Sequence, residues 1–316
     1  MLAVCCRGRV TGHDGKEDTR TEMEFFQKRA TSCGLMDAAD ILRRQRAYHA
    51  TGVTRPAEAR RDALLALSRA LNRHEAAVLE ALEQDLGKNA VQGYSSELMV
   101  VQMEISHALR HLKRWMRPVR KPVPFLALPG TAHVVREPCG AVLIIGPWNY
   151  PLQLMLAPLA GALAAGCTAV LKPSEIAPNT SEVIATIIAS AFRDDHVAVC
   201  QGGKETAVEL QRESFDHVFF TGGKQAGVEV LKAAANSLTP VTLELGGKCP
   251  ALVFPGGTSC AEFRKSIDVM ARRIAWGKYL NAGQTCVAPD HVLVAAEWKD
   301  EFIGAMGRAF DSFDPA

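Results

Sequence analysis

GAVLIIGPWNYPLQLMLAPLAGALAAGCTAVL, residues 140–171, carries no charged side chain. A run of that length could cross a bilayer as a helix, so it separates a membrane span from a buried sheet-and-helix segment. Its internal composition argues for burial. PWNYP sets two prolines around the polar Asn149, and Pro158, Gly161 and Gly166 follow, whereas a spanning helix must satisfy its backbone groups within itself. Val142 to Ile145 is rich in β-formers and 152–165 is helix-like. The expected order is buried strand, turn, buried helix and second buried strand.

The same alternation continues outward. Candidate strands are 132–137, 141–146, 168–171, 197–200, 217–220, 241–245 and 251–254, and candidate helices are 152–165, 180–192, 204–213 and 225–236. Continuous apolar strands separated by helices predict a parallel sheet covered on both faces, a doubly wound α/β fold. Before it, residues 38–87 place Leu64, Leu67, Leu71, Val78 and Leu82 at helical spacing, with a break near Asn72 to His74, and a further helix is expected over 95–116. Its basic cluster of Arg110, Lys113, Arg114 and Arg117 reads as a solvated face. Residues 255–266 read as a surface loop, and DVMARRIAWGKY, 268–279, as a helix leading into NAGQTCVAP. The expected division is a flexible leader over 1–36, N-terminal helices and a nucleotide-binding α/β domain over 37–245, and a partial α/β catalytic domain over 246–316.

A formal charge of +2, from 36 basic and 34 acidic residues, argues against a nucleic-acid partner. Nine cysteines without C-x-x-C pairs suggest neither a disulfide framework nor a metal site, and point to a reducing compartment. The charged N-terminus lacks the apolar run of a secretory signal.

Several short stretches carry chemistry. Gly222, Gly223 and Gly227 sit where a strand turns into a helix, and glycine there lets backbone N–H groups approach a phosphate; a plain tight turn is the alternative. Lys172 and Glu175 stand just beyond a strand end, where α/β sheets bind ligands, or else form an ordinary surface loop. Glu244 lies inside an otherwise apolar strand. A carboxylate buried there would need a partner or a cavity, and desolvation would raise its pKa toward that of a general base; a structural salt bridge is the other reading. Cys286 sits among Gly283, Gln284 and Thr285 rather than among apolar side chains. A thiolate attacks carbonyl carbon readily, and an amide such as Asn149 stabilises the resulting oxyanion. Cysteine, amide, carboxylate and dinucleotide pocket together describe aldehyde oxidation through a thioester.

PWNYP, LKPSE, FFTGG, VTLELGGK and NAGQTCVAPD, in that order, resemble the aldehyde dehydrogenase superfamily, and LTPVTLELGGK with RRIAWGKYLNAGQTCVAPD is most similar to its class 3 branch. The resemblance covers about residues 38–316. It implies that Cys286 attacks the aldehyde, that Asn149 and the Cys286 N–H hold the oxyanion, and that Glu244 activates the hydrolytic water. It implies NAD or NADP as cofactor, with Lys172 and Glu175 at the adenosine ribose and Gly222, Gly223, Lys224, Gln225, Ala226 and Gly227 beside the pyrophosphate. Trp148 and Gly246 complete the implied cofactor contacts. The implied substrates are medium- or long-chain aliphatic or aromatic aldehydes, and no metal is implied.

Three departures follow from the resemblance. Gly223 stands where the family usually has serine, 255–266 reads as an insertion between Glu244 and Cys286, and the family's later FGP segment is absent. The chain therefore reads as C-terminally truncated, with apolar surface that further strands would cover. The alternative function is an inactive homologue that binds nucleotide or pairs with a full-length chain. A cytoplasmic location is expected, and for a complete version a homodimer and peripheral membrane association.

Overall fold

The computed structural model describes residues 37–313, so the leader expected over 1–36 lies outside the described residues. Four helices open the fold: α1 (Ala38–Ala50), α2 (Ala57–Arg73), α3 (Glu75–Leu86) and α4 (Met99–Trp115). The break between α2 and α3 falls at His74, inside the expected interruption. Gly87, in the left-handed region at φ 65°, ends α3. A short helical turn, Ala90–Gly93, and a π-helical turn, Tyr94–Leu98, lead into α4. Leu64, Leu67, Leu71, Val78 and Leu82 are fully buried, each large aliphatic contributing about 1.5–3 kcal/mol.

An antiparallel ribbon follows, β1 (Val119–Lys121) with β2 (Ala132–Val134). It accounts for the first expected strand but corrects its place: residues 132–134 pair outside the main sheet, and five of the ribbon's six residues are exposed.

The uncharged run folds as β3 (Ala141–Ile145), the PWNYP turn, α5 (Gln153–Ala165) and β4 (Thr168–Lys172). No helix among the described residues is long and apolar enough to cross a membrane. The chain continues through α6 (Pro178–Ala191), β5 (Val197–Val199), α7 (Lys204–Arg212), β6 (His217–Gly222), α8 (Lys224–Ala235) and β7 (Val241–Leu245). The five strands are parallel in the order β5-β4-β3-β6-β7. Alternate residues of β3 enter different cores: Val142 and Ile144 pack with α2 to α6, while Ala141, Leu143 and Ile145 pack on the face that α1 and α8 cover. A strand with two buried faces reads as a continuous apolar run for this reason.

The last segment comprises β8 (Cys249–Val253), α9 (Cys260–Tyr279), β9 (Pro289–Val294) and α10 (Lys299–Asp311). β8 and β9 form their own parallel pair, and Val253, Phe263, Ile267, Ala271, Trp298 and Phe302 form a separate small core. The loop expected over 255–266 is corrected here, because α9 begins at Cys260. Ser259 Oγ accepts from the Glu262 N–H and Glu262 Oε2 accepts from the Ser259 N–H at 3.1 Å, a capping box that starts the helix inside the polar stretch. Leu252, Phe254 and Leu293 of this segment are at least half exposed.

Candidate active site

In a doubly wound sheet the ligand crevice opens beyond the carboxyl ends of the strands, where strand order reverses. Here that point lies between β3 and β6. β3 runs into the PWNYP turn, and β6 runs into Gly222, Gly223 and α8. The turn is tightly seated: a side chain at Gly146 would meet Met155 Cε at 2.5 Å, and the Gly146 N–H donates to the Lys172 carbonyl at 3.1 Å.

The Cys286 loop is strained. After α9 the chain places Asn281, Ala282 and Gly283 in succession in the left-handed region, at φ 55°, 54° and 77°. For the two non-glycine residues this costs on the order of 1–2 kcal/mol each. Contacts with the PWNYP turn hold the loop there. Asn281 Nδ2 donates to the Asn149 carbonyl at 2.8 Å, Asn149 Nδ2 donates to the Gln284 carbonyl at 2.7 Å, and Tyr150 Oη lies 2.7 Å from Thr285 Oγ1. Asn149 and Cys286, 137 positions apart in the chain, thus belong to one stitched assembly. The Cys286 side is open to solvent. Burial pushes the Tyr150 phenol above its usual range; the Thr285 hydrogen bond opposes this, and the charges of Glu97 and Cys286 add to it.

Behind the turn lies an ion pair that the motifs did not reveal. Lys88 Nζ and Glu97 Oε1 are 2.5 Å apart, with side chains 4% and 0% exposed. Lys88 also donates to the Asn149 carbonyl at 3.3 Å and sits 4.2 Å from the Tyr150 ring centroid, while Glu97 Oε2 accepts from the Gln153 N–H at 2.8 Å. Burial pulls the Lys88 ammonium down and pushes the Glu97 carboxyl up, each opposed by attraction to the other. One sequence signal was present: Glu97 occupies the row of buried Val101, Ile105, Ala108 and Leu112.

Glu244 departs from expectation. β7 is the last strand of the sheet order, and Glu244 on it is exposed. The premise of a buried carboxylate is therefore corrected: among the described residues, nothing covers the Glu244 side chain on its face of β7. The strand nevertheless leads to the Cys286 loop, because a side chain at Gly247 would lie 3.6 Å from the Cys286 carbonyl and Cys249 Sγ is 3.7 Å from that oxygen.

Of the expected cofactor residues, Lys172 is 3% exposed at the end of β4 and binds Glu175 Oε2 at 2.6 Å. Burial pushes the Glu175 carboxyl up, but the Lys172 hydrogen bond and charge outweigh it and leave it below the ordinary range. Gly223 caps α8 without a side-chain bond, leaving the first N–H groups of that helix free, and a Cβ there would meet nothing within 4 Å. Gly227 is constrained instead, since a Cβ would lie 3.0 Å from Leu245 Cδ2. Lys224, Gln225 and Ala226 line an open cleft of about 1230 Å³ with Lys204, Val208 and Phe220. Lys172, Glu175, Gly222 and Gly223 lie outside its lining. Trp148, in the PWNYP turn, is 36% exposed, and Gly246, just after β7, is exposed. Among the described residues no cluster of metal-ligating side chains occurs.

The chain is similar to known proteins. The model of the aldehyde dehydrogenase family matches residues 27–314. Aldehyde dehydrogenase family 3 member B1 of Homo sapiens is 44% identical over 275 residues, covering 87% of this chain and 57% of its own length. The substrate-bound structure of Staphylococcus aureus AldH superposes with TM-score 0.82 at 40% identity, over 87% of this chain and 58% of that one. A betaine aldehyde dehydrogenase from Staphylococcus aureus, solved in complex with NAD+, superposes with TM-score 0.75 at 28% identity, over 85% of this chain and 52% of that one. The chain thus spans little more than half the length of the relatives it matches. With the family model matched along most of its length and this identity to a curated member, the chain belongs to the aldehyde dehydrogenase family.

Proposed function

We propose that the chain oxidises medium- or long-chain aliphatic or aromatic aldehydes to carboxylic acids with NAD+ or NADP+ through a thioester on Cys286. The observation that carries this reading is the stitching of Asn149 to the loop of an exposed cysteine at the switch point of the sheet. Asn149 has two amide N–H donors. One is spent on the Gln284 carbonyl, which fixes the plane of the amide and leaves the second for an oxyanion. A Cys286 thiolate attacking the carbonyl carbon generates that oxyanion, and donors already oriented toward it lose no reorganisation energy in the transition state. Glu244, reached along β7, is assigned the activation of water for thioester hydrolysis.

The residues present fit a nicotinamide dinucleotide. The uncapped N-terminus of α8 behind Gly223 offers backbone N–H groups to a pyrophosphate, and the cleft between α7 and α8 has room for an adenosine. Lys172 and Glu175 would hold ribose hydroxyls, Lys172 would also meet a 2′-phosphate, and Trp148 and Gly246 would border the nicotinamide end. When bound, the dinucleotide supplies the hydride acceptor.

The test is NAD(P)H formation by the purified chain with an aliphatic aldehyde, beside Cys286→Ala. Turnover lost in the variant supports the proposal. Equal turnover in both proteins overturns it, and nucleotide binding without turnover favours the non-catalytic reading, in which the chain serves as a nucleotide-binding or pairing homologue.

A further inference from the structure

Cys139 and Cys167 are 28 positions apart in sequence, yet their sulfurs lie 3.4 Å apart. The sheet brings them together. β3 and β4 are parallel neighbours in the register Ala141 to Thr168, and each cysteine stands just before its strand. Gly140, between Cys139 and β3, has φ 130°, and a side chain there would collide with Asp216. Cys139 is exposed and Cys167 is buried, so an oxidant reaches one sulfur while the other is held against it.

The surroundings favour a thiolate at Cys167. Hydrogen bonds from the Cys139 S–H and from the backbone at Gly140 and Cys139, with the Arg60 charge, outweigh burial and pull the Cys167 thiol down, while the same S–H contact and burial push the Cys139 thiol up. Arg60 stands beside this place, since a side chain at Gly166 would meet Arg60 Nε at 2.7 Å. The residue is 6% exposed, and its guanidinium donates to the carbonyls of Arg55 at 3.1 Å and Ala164 at 3.2 Å. Among the described residues no carboxylate forms a salt bridge with it. The two carbonyls hold the guanidinium in place, and its charge favours the anionic form of Cys167.

We propose that Cys139 and Cys167 are a peroxide-reactive thiol pair that closes to a disulfide across the entries of β3 and β4. Cys139, the sulfur open to the oxidant, passes its proton to the neighbouring Cys167 thiolate and attacks the O–O bond of a hydroperoxide, becoming a sulfenic acid as hydroxide or alkoxide leaves. The second thiol then attacks that sulfur; the S–S bond forms and the sulfenic oxygen departs as water. The hydroperoxide gains the two electrons that the sulfurs lose. The pair lies at the opposite end of β3 from Asn149, so closure leaves the Asn149–Gln284 contact untouched.

The experiment treats the purified chain with hydrogen peroxide, without aldehyde or nucleotide, so its outcome is independent of the dehydrogenase proposal. Remaining thiols are alkylated and the protein is digested with chymotrypsin, which cleaves between the two cysteines. The expected result is a linked peptide pair carrying Cys139 and Cys167, lighter by about 2 Da than the two free thiol peptides and separated by dithiothreitol. The link persists in Cys286→Ala and disappears in both Cys139→Ser and Cys167→Ser. Both cysteines remaining alkylatable while Cys286 is oxidised would overturn the proposal, as would a link from either to a third cysteine.

Discussion

Removing one member of the Lys88–Glu97 pair tests how the PWNYP turn is held. Lys88→Met leaves the Glu97 carboxylate wholly buried with only backbone donors, and Glu97→Leu leaves an ammonium 4% exposed beside Tyr150. Breaking such a pair costs about 3–5 kcal/mol, because an uncompensated charge stays behind. With a urea slope near 3 kcal/mol/M, suited to a chain of this size, each single variant should lose about 1–2 M in its midpoint. The double variant behaves differently. Burial shifts both groups against their charged forms, so removing both relieves that penalty and forfeits mainly the bonds to the Asn149 carbonyl and the Gln153 N–H, about 1 kcal/mol each. It should therefore be more stable than either single variant. Equilibrium urea unfolding of the four proteins completes the cycle. Singles costing under about 1 kcal/mol, or a double equal to their sum, would refute the account of a buried and mutually dependent pair.

Three further outcomes follow from the same geometry. Gly223→Ser adds a side chain where space is free; a cap and one phosphate hydrogen bond should tighten NAD+ binding by about 2–10-fold in a fluorescence titration, and weaker binding would contradict a pyrophosphate at this helix start. Burial lowers the His196 pKa against the opposing charge of Asp195. Its folded value thus lies below the unfolded one, so the stability it contributes is complete above about pH 6.5 and is lost as pH falls through the folded value; His196→Gln should flatten the decline in melting temperature between about pH 7 and 5, and an unchanged profile would remove His196 from the acid response. Glu244→Gln should preserve a first burst of NAD(P)H in a stopped-flow trace while slowing steady turnover about 10²–10⁴-fold, and a lost burst would reject its assignment to the hydrolytic water.

The elements were legible because their causes are local. Leu64, Leu67 and Leu71 repeat at helical spacing, β3 and β4 are unbroken apolar runs, and glycines mark the turn from β6 into α8. Even the misread 255–266 carried its own signal, since Ser259 and Glu262 spell the capping box that begins α9. Asn149 and Cys286 were singled out for a different reason, the chemistry of a thiol and an amide, and the structure brings them into one hydrogen-bonded assembly.

Sequence alone determined the strands and helices of the parallel-sheet core, which faces of them are apolar, and which side chains are chemically able to react. Only the tertiary structure decided who stands beside whom. Glu244 sits in an apolar pattern, but its exposure depends on what packs against its face of β7, the last strand of the sheet among the described residues. Lys88 meets Glu97 and Asn149 because α4 and the turn after β3 share one core, and Cys139 meets Cys167 because β3 and β4 enter the sheet in parallel. Periodicity along a chain specifies which face must be covered; the neighbour that covers it is chosen by packing among elements distant in sequence.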